Sequence, residues 1–403
     1  MKEGWKIKTL GEVSDVLNGG TPKTKVKEYW GGNINWITPK DLGKLEQIYV
    51  SETPRKITDL GLQKSSAKLF VENSIILSTR APIGHLAINL VPMATNQGCR
   101  GIVPNSELEV HYLFYFLKLN VKLLNDLGTG TTFKELSTRS LESVEVPIPP
   151  LAEQKQIVKL LDQAFEAIDQ AKANIEKNIA NAKELFQSKL NDVFSQEGAG
   201  WEEKILPDLV SKSCTLSYGV VQPGDEYENG LPIVRPTDLK NTYVNLDNLK
   251  RIDPDKSKSY SKTILKGNEL LLCVRGDTGV VSLITDELNG ANVTRGIVPI
   301  LFDENLVRVK FGYFQFISEL IQKQIKAKTY GAALMQINIR DVRQLKLNIP
   351  SIEVQDKLLP ILDEVLNKTE LLLHSYTNKL TSLEEFKKSI LQKAFSGELT
   401  NPN

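Results

Sequence analysis

Side chains able to do catalytic chemistry are few and scattered. The three histidines, His85, His111 and His374, lie far apart, and the three cysteines, Cys99, Cys214 and Cys273, follow neither metal-ligand nor disulfide-framework spacing. That pattern suits a reducing cytoplasm and leaves each histidine to a structural or surface role. No glycine-rich phosphate loop, dinucleotide fingerprint or nucleophile–base–carboxylate set is legible. The Pro149-Pro150 pair lacks the flanking residues of an amino-methyltransferase signature. What the chain does carry is a set of residue types suited to nucleic acid: arginine suits guanine, glutamine or asparagine suits adenine, and acids suit cytosine. Thr21, Lys23 and Lys25 lie in a flexible loop, Gly19 to Lys25. Thr38 and Lys40 flank Pro39 just after Trp36, Arg80 precedes an Ala-Pro-Ile-Gly turn, and Thr129 and Thr131 belong to Gly128-Thr-Gly-Thr-Thr132. A second set comes later: Gln222, then Arg235, Thr237 and Lys240, then Arg275 with Asp277, and Tyr330 beside Gly331. Singly, each is as well explained by a solvated turn; as a duplicated set they point to DNA, through backbone amides and hydroxyls on phosphate and side chains on base edges.

Those turns recur because the chain repeats itself. Gly4-Trp5 and Leu10 return as Gly200-Trp201 and Leu206, and Trp36-Ile-Thr-Pro-Lys-Asp-Leu42 as Ile233-Val-Arg-Pro-Thr-Asp-Leu239. Arg80 to Gly84 matches Arg275 to Gly279, and Arg100-Gly-Ile-Val-Pro104 matches Arg295-Gly-Ile-Val-Pro299. Residues kept in both copies are poor candidates for reading different sequences, so Arg100 and Arg295 are expected to serve the framework, paired internally or resting on phosphate. Positions whose chemistry changes are better candidates: Thr38 and Lys40 become Arg235 and Thr237, Pro82 becomes Asp277, and Thr129 becomes Tyr330.

Each copy closes in a long helical run, Leu151 to Ser195 and Ile352 to Ser396. Leu161, Phe165, Ile168, Ile175, Ile179, Ala182 and Leu185 mark an apolar stripe on the first, between lysine- and glutamate-rich faces. A helix of about 40 residues spans roughly 60 Å, and a stripe that long needs a partner stripe, which the second copy supplies. Ser351 is the expected N-cap of the second run, with Glu353 in its first turn. Pro360 is expected to kink or break it, and Gly397 to end it. Short β-branched runs bounded by Gly, Pro and Asn give the globular parts a mixed character. The fold class is therefore α+β: two similar mixed α/β domains, residues 1–150 and 198–351, alternating with long helices at 151–197 and 352–403. The helices are expected to pack as an antiparallel coiled coil, giving a pseudo-two-fold repeat, with Gly198-Ala-Gly200 as the linker between halves.

Composition adds limits. At 403 residues there is room for two or three cores. Fifty basic against 49 acidic side chains leave a net charge of +1, so any basic surface must be local or shared with a partner. No apolar run approaches the roughly 18 residues of a membrane helix, and the N-terminus has no secretory apolar region. A cytoplasmic protein without a membrane partner is expected.

Laid out in this way, the chain resembles the DNA-specificity subunits of Type I restriction-modification systems over its whole length. The marks are Ile148-Pro-Pro-Leu-Ala-Glu-Gln-Lys-Gln-Ile-Val158 entering the long helix, the alternation of domains and helices, the Gly20-Thr-Pro-Lys23 loop and Asn96-Gln-Gly98. The second copy departs: Ser351-Ile-Glu-Val-Gln355 keeps the Glu and Gln but loses a proline, and Asn292 to Arg295 lacks the Gln-Gly pair. The resemblance implies a non-catalytic subunit whose two target-recognition domains read the two halves of an asymmetric duplex site. It implies two methyltransferase subunits as partners and, through them, two motor-nuclease restriction subunits; S-adenosylmethionine, ATP and magnesium would belong to those partners, and no cofactor or metal to this chain. The rival classes are a coiled-coil scaffold that does not bind DNA and a nuclease with dispersed carboxylates.

Overall fold

The computed structural model describes residues 2–130, 134–195, 200–331 and 334–400. Thr131 and the boundary between 197 and 198 lie outside the described residues. The chain divides into two units, one of residues 1–175 with 378–403, the other of residues 176–377. Among the described residues no helix is long and apolar enough to cross a membrane.

In the first unit the entering strand Lys6–Thr9 pairs antiparallel with the closing strand Glu145–Ile148, directly before the long helix. Between them Ile75–Thr79 is flanked antiparallel by Ile83–Asn89 and Cys99–Pro104. Trp30–Ile37 runs antiparallel to Arg55–Ile57 and parallel to Met93–Thr95. The second unit repeats this plan. Trp201–Ile205 pairs with Lys346–Pro350, Leu270–Cys273 lies between Val281–Leu283 and Ile297–Ile300, and Leu231–Val234 lies between Lys250–Ile252 and Asn292–Val293.

The long helices are Leu151–Phe194 and Ile352–Ser396. Their inward positions recur three and four residues apart: Leu161, Phe165, Ile168, Lys172, Ile175, Ile179, Ala182, Phe186, Leu190 and Phe194 on the first. The second presents Leu362, Leu366, Thr369, Leu373, Tyr376, Leu380, Leu383, Lys387, Ile390 and Ala394 in the same spacing. This is the seam of a coiled coil. In the first unit Lys387 Nζ bonds Asp169 Oδ1 at 3.0 Å, and Lys172 pairs with Glu384. Three residues forward on one helix thus correspond to three back on the other, so the helices run antiparallel. In the second unit Phe186, Leu190 and Phe194 share a core with Leu362 and Leu366. The expected stripe needs one correction. Leu185 is 63% exposed and its counterpart Phe386 55% exposed, because the three-and-four spacing puts Phe186 on the seam instead.

The second helix also runs through Pro360 without a break. The turns on either side are tied down: Arg308 forks onto Asp356 at 2.8 and 2.9 Å, Lys310 reaches Asp363 at 2.8 Å, and Leu362 is buried. One missing N–H is tolerated where its neighbours are anchored. Ser351 does start this helix, its carbonyl accepting from Val354 and Gln355, and Gly397 ends it at φ +85°.

Both helices begin with the same buried amide. Gln154 Oε1 accepts from the Glu109 N–H at 2.8 Å, while its Nε2 donates to the Glu107 and Pro149 carbonyls at 2.8 and 2.9 Å. Gln355 repeats this with the Arg308 N–H and the Leu306 and Pro350 carbonyls, at 2.9, 2.8 and 2.9 Å. Matching the glutamines puts Val354, not Glu353, in the place of Glu153. Glu153 itself binds Lys2 Nζ at 2.7 Å and Trp5 Nε1 at 3.2 Å.

His111 takes a structural role, its Nδ1 lying 2.8 Å from Glu109 Oε1 and its Nε2 2.9 Å from the Tyr49 hydroxyl.

Two predictions follow from these contacts. Gln154→Leu strands one N–H and two carbonyls, and is expected to cost roughly 1–3 kcal/mol for each group left unpaired; a urea midpoint matching that of the parent chain would refute this. The hydrogen bond to Glu109 raises the His111 pKa above its usual value. Its stabilisation is therefore complete below about pH 6.5, the unfolded value, and lost as pH rises through the folded value. The Tm deficit of His111→Gln should be larger at pH 5 than at pH 8.5; an equal deficit at both would count against the pair.

Candidate nucleic-acid interface

The candidate turns of each domain converge at the ends of the strands just described. In the first unit Trp36, at 2% exposure, donates from Nε1 to the Gly20 carbonyl at 2.9 Å and pins the loop bearing Thr21, Lys23 and Lys25. Gly19 and Gly20 are needed there, since a β-carbon would stand 1.8 Å from the Asn96 carbonyl oxygen or 2.2 Å from the Ala67 nitrogen. The Thr21 hydroxyl reaches Gln97 Oε1 at 2.5 Å. Asn96 N–H donates to the Ile37 carbonyl at 3.0 Å, and Thr79 N–H to the Gly98 carbonyl at 2.8 Å. The 19–25 loop, Thr38–Lys40, the 96–98 turn and Arg80 are thereby joined. Thr129 is brought in through Glu135, whose backbone pairs with it and bridges to Arg80.

Side chains at this surface divide by whether they are already engaged. Thr38 is buried and caps the short helix Pro39–Leu42, its hydroxyl on Asp41 Oδ2 at 2.6 Å. In the second copy Arg235 turns onto the equivalent acid, Asp238, with Nε and Nη2 at 3.1 and 2.9 Å, and that bond holds its pKa above the ordinary value. The sequence contrast between Thr38 and Arg235 thus conceals one shared partner. Arg80 Nη2 is held by Glu135 Oε1 at 2.6 Å. The residue facing Arg275 is Gln336, and among the described residues Arg275 has no ion-pair partner. Lys23, Lys25, Lys40, Gln222, Thr237, Lys240, Asp277 and Thr129 are exposed. Tyr330 is 43% exposed, with its hydroxyl on Asn338 Oδ1 at 2.6 Å.

The pentapeptide shared by Arg100 and Arg295 does not mark equivalent places. Gly296, like Gly98, accepts from the strand above it, here from Val274 N–H at 2.8 Å. Thr294, like Asn96, donates to the end of its neighbouring strand, Val234, at 2.9 Å. A β-carbon on Gly98 would meet Pro39 at 2.8 Å, and one on Gly296 would meet Pro236 at 2.6 Å. Arg295 therefore occupies the place of Gln97, and Val298 that of Arg100, since Arg100 pairs with Leu77 and Val298 with Leu272. Arg100 does serve the framework, buried with Nη1 on the Gln97 and Cys99 carbonyls and Nε on Thr138. Arg295 is exposed and, among the described residues, without an ion-pair partner. Aligning the copies on the glycine after each tip, Gly98 and Gly296, recovers what the identical pentapeptides disguise.

The pattern described as the Type I restriction modification DNA specificity domain matches residues 2–181 and again 199–382. The chain belongs to this family. It is 28% identical to the Type I restriction enzyme MjaIX specificity subunit of Methanocaldococcus jannaschii, over 98% of this chain and 93% of that one. It is 25% identical to the EcoBI specificity subunit of Escherichia coli, over 97% and 80%. Two solved structures share the fold. A chain from a study of complex assembly and conformational transition in the type I R-M system has TM-score 0.78 at 18% identity, with 99% of both chains covered. The HsdS subunit of Thermoanaerobacter tengcongensis has TM-score 0.58 at 19% identity, with 99% and 98% covered.

Proposed function

We propose that this specificity subunit reads an asymmetric two-part duplex site, one half for each target-recognition domain, and carries no catalytic centre of its own. The observation that carries this reading is a pair of surfaces with one backbone plan and different exposed side chains: Lys40 against Thr237, Thr129 against Tyr330, Gln97 against Arg295. A shared plan suits a common approach to the phosphate backbone, and altered side chains suit different base sequences. Family membership supports the partners, namely two methyltransferase subunits and, through them, two restriction subunits, with S-adenosylmethionine, ATP and magnesium held by those chains. The work would be cytoplasmic, where the DNA lies.

Sequencing that detects modified bases, in cells with and without this subunit and its methyltransferase partner, should yield one motif of two specified halves around an unread spacer. Lys40→Ala should change recognition at the half read by the first domain alone; a change in both halves would contradict the assignment. The second test uses charge. Gln336→Glu sets a carboxylate against Arg275 as Glu135 is set against Arg80. If Arg275 holds one phosphate, the slope of log affinity against log salt for the methyltransferase-bound subunit should fall by about 0.9. An unchanged slope would remove Arg275 from the phosphate contacts.

A further inference from the structure

The turns 96–98 and 294–296 share three backbone bonds, from the first residue to the neighbouring strand end, within the turn, and from the strand above to the glycine, and they differ at the tip. We propose that Gln97 and Arg295 are equivalent specificity-determining residues, each reading one base pair of its own half-site, adenine by Gln97 and guanine by Arg295. This rests on the DNA-reading function proposed above.

The framework around the tips is conserved in kind. Pro39 and Pro236 abut Gly98 and Gly296, and Asp41 and Asp238 receive the residue before the proline. Cys99 N–H bonds the Asn96 carbonyl at 3.1 Å, and Ile297 N–H the Thr294 carbonyl at 3.0 Å, closing the same turn. The proline and the aspartate beside each turn thus keep their type, and the tip does not. Each tip is exposed, and the glycine that follows it adds no side chain to screen it.

The tips are also held ready. The Gln97 carbonyl oxygen accepts from buried Arg100 at 2.9 Å, and its side-chain Oε1 takes the Thr21 hydroxyl. One lone pair on Oε1 and both amide hydrogens remain, the pattern that meets adenine N6 and N7. The Arg295 N–H donates to the Val220 carbonyl at 2.8 Å and fixes the turn against its neighbouring loop. Its guanidinium offers the fork that matches guanine O6 and N7. Arg80 and Arg235, on the corresponding surfaces of the two domains, are engaged by Glu135 and Asp238, whereas Arg295 is not engaged by any described acid.

The test co-expresses the full-length chain with its methyltransferase subunits in a host free of other DNA methylation, and reads the modified motif by single-molecule sequencing. Gln97→Ala should relax one base pair in one half by about 5- to 150-fold, and Arg295→Ala one base pair in the other half by a similar factor. Gln97→Arg should move the preference at its position from A·T toward G·C, with the second half unchanged. The untouched half reports that each variant is folded. An unchanged motif in both alanine variants would overturn the proposal, as would weakening spread evenly over both halves. Should an alanine variant give no methylation at all, Gln97→Glu and Arg295→Lys are read in its place, and complete loss there too overturns the proposal. Absence of any two-part motif with the parent chain is a different result, and it would sink the DNA-reading function itself.

Discussion

Two buried amides fix where each domain stands on its helix. Gln154 and Gln355 are fully enclosed, and each makes three hydrogen bonds, all to backbone groups outside the helix it belongs to. A buried amide in that position is tolerable only when every group is met, so the contact is strong in its demands even if modest in its net contribution. It locks the first turn of the long helix to the loop that opens the domain's apolar helix. Asp162 and Asp363 reinforce the lock two turns later, one through Tyr115 at 2.5 Å and the other through Lys310. In each unit the sheets and their turns are thereby tied to the first turns of that unit's long helix.

Within that frame, charge separates the two copies more sharply than shape does. The acid beside the first surface, Glu135, becomes Gln336 beside the second. One arginine is held by an acid, and its half-buried counterpart, among the described residues, is not. Arg295 adds a second open cation to the later surface, where the earlier one carries a neutral amide. A chain with a net charge of +1 thus holds local positive fields without a basic composition.

Much of this was legible in the sequence. The alternation of domains and long helices followed from the repeat, and the antiparallel seam from two matched stripes. What escaped depended on one-residue distinctions. Leu185 and Phe186 are adjacent apolar residues, and only the partner helix decides which of them faces inward. Pro360 predicts a kink or a break because the sequence does not display the ion pairs that flank it. Thr38 and Arg235 looked like a change of readout, yet both side chains are turned onto the acid three residues on. The shared Arg-Gly-Ile-Val-Pro does not mark equivalent places: the tip glycine stands 18 residues after Arg80 but 21 after Arg275, so the same five residues enter the strand at different registers. The correspondence of Gln97 with Arg295 is therefore visible only in the folded strands.

The turns that carry the tips are built almost wholly from main-chain bonds. Ile37, Gly98, Val234 and Gly296 contribute carbonyls, which any residue possesses. A lineage can therefore exchange the amino acid at a tip without disturbing the fold that presents it. Variation and stability are thereby assigned to different atoms of the same few residues, the side chain at the tip for the one and the main chain for the other.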